Sequence, residues 1–198
     1  GKLIVSGAFS SYNGVSCSNL VRLNIDGSMD STFNSSTDSP NYSFAIQTNG
    51  KIILGGNFTL CNNKSRSKIA SINIDGSIDT SFYPFTQNRA SLNGRNLYSF
   101  SFQSDGKIII GGDFSTYNGV SRNNIVRLNT DGSLDTTFNP GVGTDLIVLT
   151  CNKQNDGKIL IGGSFSDYNG TATHNHIARI NTDGSIDSTF YFGTGLNY

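Results

Sequence analysis

Asp105-Gly106-Lys107-Ile108-Ile109-Ile110-Gly111-Gly112-Asp113-Phe114 is the stretch on which the reading of this sequence turns. It opens on a dipeptide that tolerates the positive φ angles of a tight hairpin. An apolar run too short for a helix follows, and a glycine pair and an aromatic ring close it. The pattern returns along the chain. Gly-Lys pairs begin at residues 1, 50, 106 and 157, spacings of 49, 56 and 51 residues. A second block, Asn-x-Asp-Gly-Ser-x-Asp-x-x-Phe, keeps the same phase at Asn24–Phe33, Asn73–Phe82, Asn129–Phe138 and Asn181–Phe190. Two blocks in step over four copies make the chain an internal repeat.

Each copy reads as four short strands, the third copy most plainly. Tyr98 to Gln103 alternates with period two, and Asp105-Gly106 turns the chain. Lys107 to Phe114 forms a second strand covered on both faces. A longer loop, Thr116 to Ser121, leads to a third strand from Asn124 to Asn129, and a second Asp-Gly turn at Asp131 leads to a fourth ending at Phe138. No segment carries a capped 3.6-residue apolar period, so almost no helix is expected. A repeated four-stranded unit of about 50 residues predicts an all-β chain of antiparallel β-propeller blades. One small twisted sheet cannot cover both apolar faces, whereas stacked sheets cover one another. The glycine pairs leave room where backbones or rings approach closely, and Phe9, Phe58, Phe114 and Phe165 fill the space between blades. A β-solenoid competes, but its repeats are shorter and lack hairpin turns at both places. The units run approximately 1–41, 42–97, 98–145 and 146–198 as a single propeller segment, the first without its first strand, which predicts a piece of a larger propeller.

The two blocks, with the Arg-Leu-Asn that leads into the second (from Arg22 and Arg127, with Arg179-Ile180-Asn181 in copy four), closely resemble the delta-60 repeat family over essentially the whole chain. That resemblance implies a kelch-like propeller of bacterial secreted or surface proteins and of phage-encoded proteins, and its motif brings no catalytic residues. Copy two departs from the pattern: Ser71 replaces the arginine, and Leu60-Cys61-Asn62-Asn63 replaces a Tyr-Asn-Gly loop.

Charge narrows the functions. The chain has 198 residues, 14 Lys+Arg against 14 Asp+Glu, and a net charge of zero. Without a basic run, nucleic acid and anionic membrane surfaces are poor partners. The longest apolar stretches, such as Leu146 to Leu149, cannot span a bilayer. Polarity comes instead from Ser, Asn, Thr and 23 Gly, which suits an extracellular or virion surface. Cys17, Cys61 and Cys151 have no Cys-x-x-Cys spacing and read as buried free thiols.

The candidate chemistry is sparse. Arg22, Arg127 and Arg179 need partners in otherwise buried strands, and Asp30, Asp135 and Asp187 are in phase to pair with them. In copy two Lys68 is the expected substitute opposite Asp79. The Asn129-x-Asp131-Gly132-Ser133-x-Asp135 block superficially resembles a calcium loop, but it lacks the earlier carboxylate and distal Glu and reads as a self-bonded turn. His174-Asn175-His176 sets two rings on one side of a strand but has no third ligand, so no metal site is expected. Acids outside the repeats, such as Asp38 and Asp145, read as isolated, short of the carboxylate pair of a glycosidase.

The connections between strands two and three and between copies are the variable ones, and strand order places them on the face opposite the Asp-Gly turns. Partner contacts are expected there: Tyr12, Tyr117 and Tyr168 before Asn-Gly, Phe85, Arg89 and Arg95 in the longest link, and His174 and His176. The tyrosines equally suit loop packing. The functional expectation is a non-enzymatic structural or binding module with no cofactor, touching proteins or glycans. A carbohydrate-active propeller enzyme and an intracellular kelch-like adaptor are the alternatives.

Overall fold

In each copy the Asp-Gly or Asn-Gly turns fix the strand ends, because the glycine takes a left-handed conformation that other residues resist: φ is 83° at Gly50, 82° at Gly106 and 86° at Gly157. The structure is a computed structural model and describes residues 1–83, 92–172 and 176–191, with backbone alone for 92–95. Its elements are all strands. Copy one contains β1 (Leu3–Ser6), β2 (Ser11–Tyr12), β3 (Val15–Ser16) and β4 (Leu20–Leu23). Copy two contains β5 (Asn41–Ile46), β6 (Ile52–Gly56), β7 (Leu60–Cys61), β8 (Lys64–Ser65) and β9 (Ile69–Ile72). Copy three contains β10 (Leu92–Phe102), β11 (Ile108–Tyr117), β12 (Val120–Ser121) and β13 (Ile125–Leu128). Copy four contains β14 (Val148–Lys153), β15 (Ile159–Gly163), β16 (Asp167–Tyr168), β17 (Thr171–Ala172) and β18 (Ile177–Ile180).

The sheets run β5-β6-β9, β10-β11-β13 and β14-β15-β18, all antiparallel; in copy one β1 pairs with β4. The expected fourth strand shrinks to one bridge per copy: Leu23 to Met29, Ile72 to Ile78, Leu128 to Leu134 and Ile180 to Ile186. Side-chain chemistry ends it. In copy three Asp135 Oδ1 accepts from Thr137 N (3.0 Å) and Thr137 Oγ1 (2.7 Å), a local turn that takes the backbone out of the ladder.

The loop after the second strand is also more ordered than expected. It forms a miniature hairpin in every copy, β2-β3, β7-β8, β11-β12 and β16-β17. Its tyrosine hydroxyl reaches the turn between the third strand and the fourth segment. Tyr117 donates to the Gly132 carbonyl (2.5 Å), Tyr168 to that of Gly184 (2.5 Å) and Tyr12 to that of Gly27 (2.8 Å). The loop therefore folds back along the sheet, and the clean division of connections between two faces does not hold.

The described chain forms two compact units, Gly1–Phe82 and Tyr83–Tyr198. The core of the first gathers Leu20, Ile52, Leu54, Phe58, Cys61, Ala70 and Ile72. That of the second gathers Ile109, Ile125, Phe138, Val148, Ile161, Phe165 and Ile180 among others. The second glycine of each pair has the role its sequence suggests. A Cβ on Gly56 would lie 2.4 Å from the Pro40 carbonyl oxygen and one on Gly163 2.0 Å from that of Ile147, where the chain enters the first strand. Opposite the pair that strand bulges, with register shifts between Asn41 and Ser43 and between Val148 and Thr150.

Candidate functional site

Charge is spent first on structure. Arg22, Arg127 and Arg179 each donate Nε to Oδ2 of Asp30, Asp135 and Asp187 at 2.6 Å. The guanidinium carbons stand 4.7, 4.9 and 4.4 Å from the ring centres of Phe33, Phe138 and Phe190. The predicted pairing is present, with a partner the sequence did not reveal. The lysine of each Gly-Lys pair reaches the same oxygen: Lys2 at 2.5 Å, Lys107 at 2.9 Å and Lys158 at 2.8 Å. In copy two Lys51 Nζ does the same for Asp79 (2.8 Å), and Ser71 Oγ, in the arginine's place, donates to the same oxygen at 2.9 Å. Lys68 takes a left-handed backbone conformation, φ 67°, just before β9.

These contacts keep the carboxylates ionised. For Asp30 and Asp187 the lysine is the strongest influence and holds the carboxyl below its usual range, with the neighbouring threonine and then the arginine adding to it. Burial pushes Asp79 and Asp135 upward, but Lys51, Ser81 and Ser71 overcome it and lower Asp79 to about 2, and Lys107, Thr137 and Arg127 act alike on Asp135.

The remaining predicted residues sort by position. Tyr117 and Tyr168 are buried, at 1% exposure each, so they pack the loop rather than offer themselves to a partner; Tyr12 is half-buried. In copy two Asn62 Nδ2 takes over the tyrosine's bond, donating to the Gly76 carbonyl at 2.8 Å. His176 is not on a strand: at φ 71° it fills the left-handed position held by Asn19 and Asn124, and its amide donates to the Phe165 carbonyl at 2.8 Å. Arg95 lies in β10, while Phe85, Arg89 and His174 fall outside the described residues. Among the described residues no three His, Cys, Asp or Glu side chains gather as metal ligands. The turn block bonds to itself as expected, Asp131 Oδ1 accepting from Ser133 N (2.9 Å) and Oγ (2.7 Å). Cys61 and Cys151 are buried free thiols, both pushed up to about 11 by burial, while Cys17 is half-buried.

Asp38 and Asp145 hold backbone instead of chemistry partners. Asp38 Oδ1 accepts from Thr59 N and Leu60 N at 2.8 Å each, and Oδ2 from Thr59 Oγ1 at 2.5 Å. Asp145 accepts from Ser166 N and Asp167 N at 2.9 Å each and from Ser166 Oγ at 2.8 Å. Each comes from the link leaving one copy and clamps the miniature hairpin of the next.

Beside the first clamp an open groove of about 500 Å³ lies between copies one and two. Thr32, Asn34 and Ser36 line it from copy one; Asn62, Asn63, Asp75, Ser77 and Ile78 line it from copy two. Its surface is hydroxyl and carboxamide with one carboxylate, and Ser77's hydroxyl and amide, donating to Asp75 Oδ1, lower that carboxyl's pKa. Asn62 and Asn63 hold left-handed conformations at φ 49° and 58°. At the matching place in the other copies stands glycine (Gly14, Gly119, Gly170), so Asn63 is particular to this groove. The departure of copy two from the repeat was its only signal in the sequence.

Residues 1–33, 47–82, 103–138 and 154–190 match the family described as domain of unknown function (DUF5122) beta-propeller. The chain belongs to this β-propeller family. The repeats, whose described residues form strands and no helix, are thus propeller blades. Among solved structures, a streptogramin B lyase is similar at 18% identity and a TM-score of 0.50, over 85% of this chain and 46% of that one. The gluconolactonase XC5397 from Xanthomonas campestris is similar at 13% identity and a TM-score of 0.45, over 84% of this chain and 53% of that one. The chain spans about half the length of these structures. At such identities the likeness speaks to fold alone. No curated protein matches the sequence.

Proposed function

We propose that this chain is a non-enzymatic binding module of an exterior surface, belonging to a virion appendage or a secreted bacterial surface protein, and that it holds glycans in the groove between copies one and two. The observation that carries the reading is the chemistry of that groove. Asn34, Ser36, Asn62, Asn63 and Ser77 present neutral donors and acceptors around about 500 Å³, the complement of a hydroxyl-rich ligand. The repeated charges support it from the other side, since each arginine of the motif is already tied to an aspartate. The uncharged polarity of the sequence and its resemblance to delta-60 repeats favour the exterior setting.

The test is a glycan array with the intact chain, run beside a turnover assay on every glycan retained. Binding without turnover is expected. Asn63→Gly, which restores the residue of the other copies, is expected to weaken binding roughly tenfold, the loss of one or two hydrogen bonds of about 1 kcal/mol each. An array without hits, or a retained glycan that is cleaved, overturns the reading. Retention of proteins in place of glycans would move the site to a protein contact.

A further inference from the structure

The link that runs along the groove between copies one and two is short. From the residue after the closing phenylalanine to the clamping aspartate it reads Asn34-Ser35-Ser36-Thr37-Asp38. The matching link between copies three and four reads Asn139-Pro140-Gly141-Val142-Gly143-Thr144-Asp145, two residues longer. Those residues press against the hairpin there: Val142 N donates to Asn169 Oδ1 at 3.0 Å, and the same side chain leaves no room for a Cβ on Gly141. Between copies one and two Ser36 N makes the matching bond to Asn62 Oδ1 at 2.8 Å, and the space beside it stays open.

One charge lines that space, the carboxylate of Asp75, which is exposed. Its Oδ1 is taken twice by Ser77, through N at 2.9 Å and Oγ at 2.7 Å, and its carbonyl accepts from Asn34 N at 3.2 Å. The side chain is thereby held in place from both copies, and among the described residues its Oδ2 accepts no hydrogen bond. The same turn carboxylate recurs as Asp26, Asp131 and Asp183, so the turn explains why an aspartate stands there; lining a groove is what copy two adds. No lysine or arginine lines the groove. Arg22, the cation whose field reaches Asp75, is 9% exposed. It is spent on Asp30 at 2.6 Å and on the Ile74 carbonyl of copy two, as Arg127 is on the Thr182 carbonyl of copy four. The groove thus sets one fixed negative charge among neutral donors and acceptors, where a ligand's ammonium gains and a ligand's carboxylate loses.

We propose that the groove selects sugars by charge, taking those with a free amine over neutral ones and turning away those with a carboxylate, and that Asp75 Oδ2 is the atom that decides. This rests on the reading of the groove as a glycan site and names the class of glycan it takes. The asparagines and serines serve the hydroxyls that all three classes share, so the carboxylate alone distinguishes them.

Chemical-shift titration of the isotope-labelled intact chain tests this. Glucosamine, methyl glucoside and glucuronate are added in turn at about pH 6, where an amine of this kind is charged, and the amides of Asn62, Asn63, Asp75 and Ser77 are followed. Glucosamine is expected to bind tightest and glucuronate weakest, in steps of about two- to fivefold, the scale of an exposed ion pair. Asp75→Asn keeps the turn acceptor, as Asn49 Oδ1 does for Lys51 N at 3.1 Å, and should level the three. Sodium chloride at about 0.5 M should level them in the unaltered chain by screening, which keeps the test decisive should the variant misfold. An order that survives either change, or glucuronate held as tightly as glucosamine, overturns the inference and leaves the glycan reading standing. Silence of these amides toward all three sugars also overturns it, while the glycan reading itself is decided on the array.

Discussion

At the residue scale the aspartate of the turn block is the centre of each copy, and its worth depends on which cations it leaves behind. Asp135→Asn strands the buried Arg127, whose side chain is 7% exposed, and should cost about 3–5 kcal/mol in urea unfolding. Asp79→Asn leaves only the more solvated Lys51 and should cost about 1–3 kcal/mol. Equal losses would show that the arginine adds nothing. The Arg–Asp pairing was legible because the residues lie eight apart in copies one, three and four, on either side of the second Asp-Gly turn. The lysine was not: it stands 28 residues before its partner in copies one and two, just ahead of the second strand of the repeat, and only the length of its side chain closes the gap. Glycine offers a second contrast. Gly163→Ala drives a methyl to 2.0 Å from a backbone oxygen, which cannot yield, and should destabilise by about 3 kcal/mol or more. Gly162→Ala meets only the Thr150 methyl at 3.1 Å and should cost about 1 kcal/mol.

At the scale of the element the miniature hairpins hang on a carboxylate borrowed from the copy before. Asp145→Ala removes the acceptor of Ser166 N and Asp167 N and should cost about 1–3 kcal/mol, with faster hydrogen exchange at those two amides before any change in the β14-β15-β18 sheet. Unchanged exchange there would mean the hairpin stands without its clamp. The sequence hid this clamp through an insertion. Asp38 follows Phe33 by five residues and Asp145 follows Phe138 by seven, so the two never align in phase although they do the same work. The fourth strand was over-read for a related reason: its alternation is present, but Asp-x-Thr bonds to itself and ends the ladder after one bridge. Turn positions, glycine pairs and the three principal strands were legible because each rests on a local rule of backbone geometry.

At the scale of the whole molecule the aspartates set the response to acid. Their carboxyls are depressed in the fold, Asp79 to about 2 from 3.8, so the stability they confer is complete above the unfolded value and drains away as pH falls through the folded one. The melting temperature should hold steady from neutrality to about pH 4 and fall steeply between about pH 4 and 2, with Asp30, Asp135 and Asp187 extending the loss to still lower pH. A melting temperature that rises on acidification would contradict the pairing. What the repeats could not announce was the groove, because it depends on the one copy that breaks their pattern. The clamps also have a direction. Asp38 grips residues that follow it, as Asp145 does, and Arg22 and Arg127 reach forward in the same sense. On the ribosome, where early residues emerge first, every new blade would find its holdfast already synthesised.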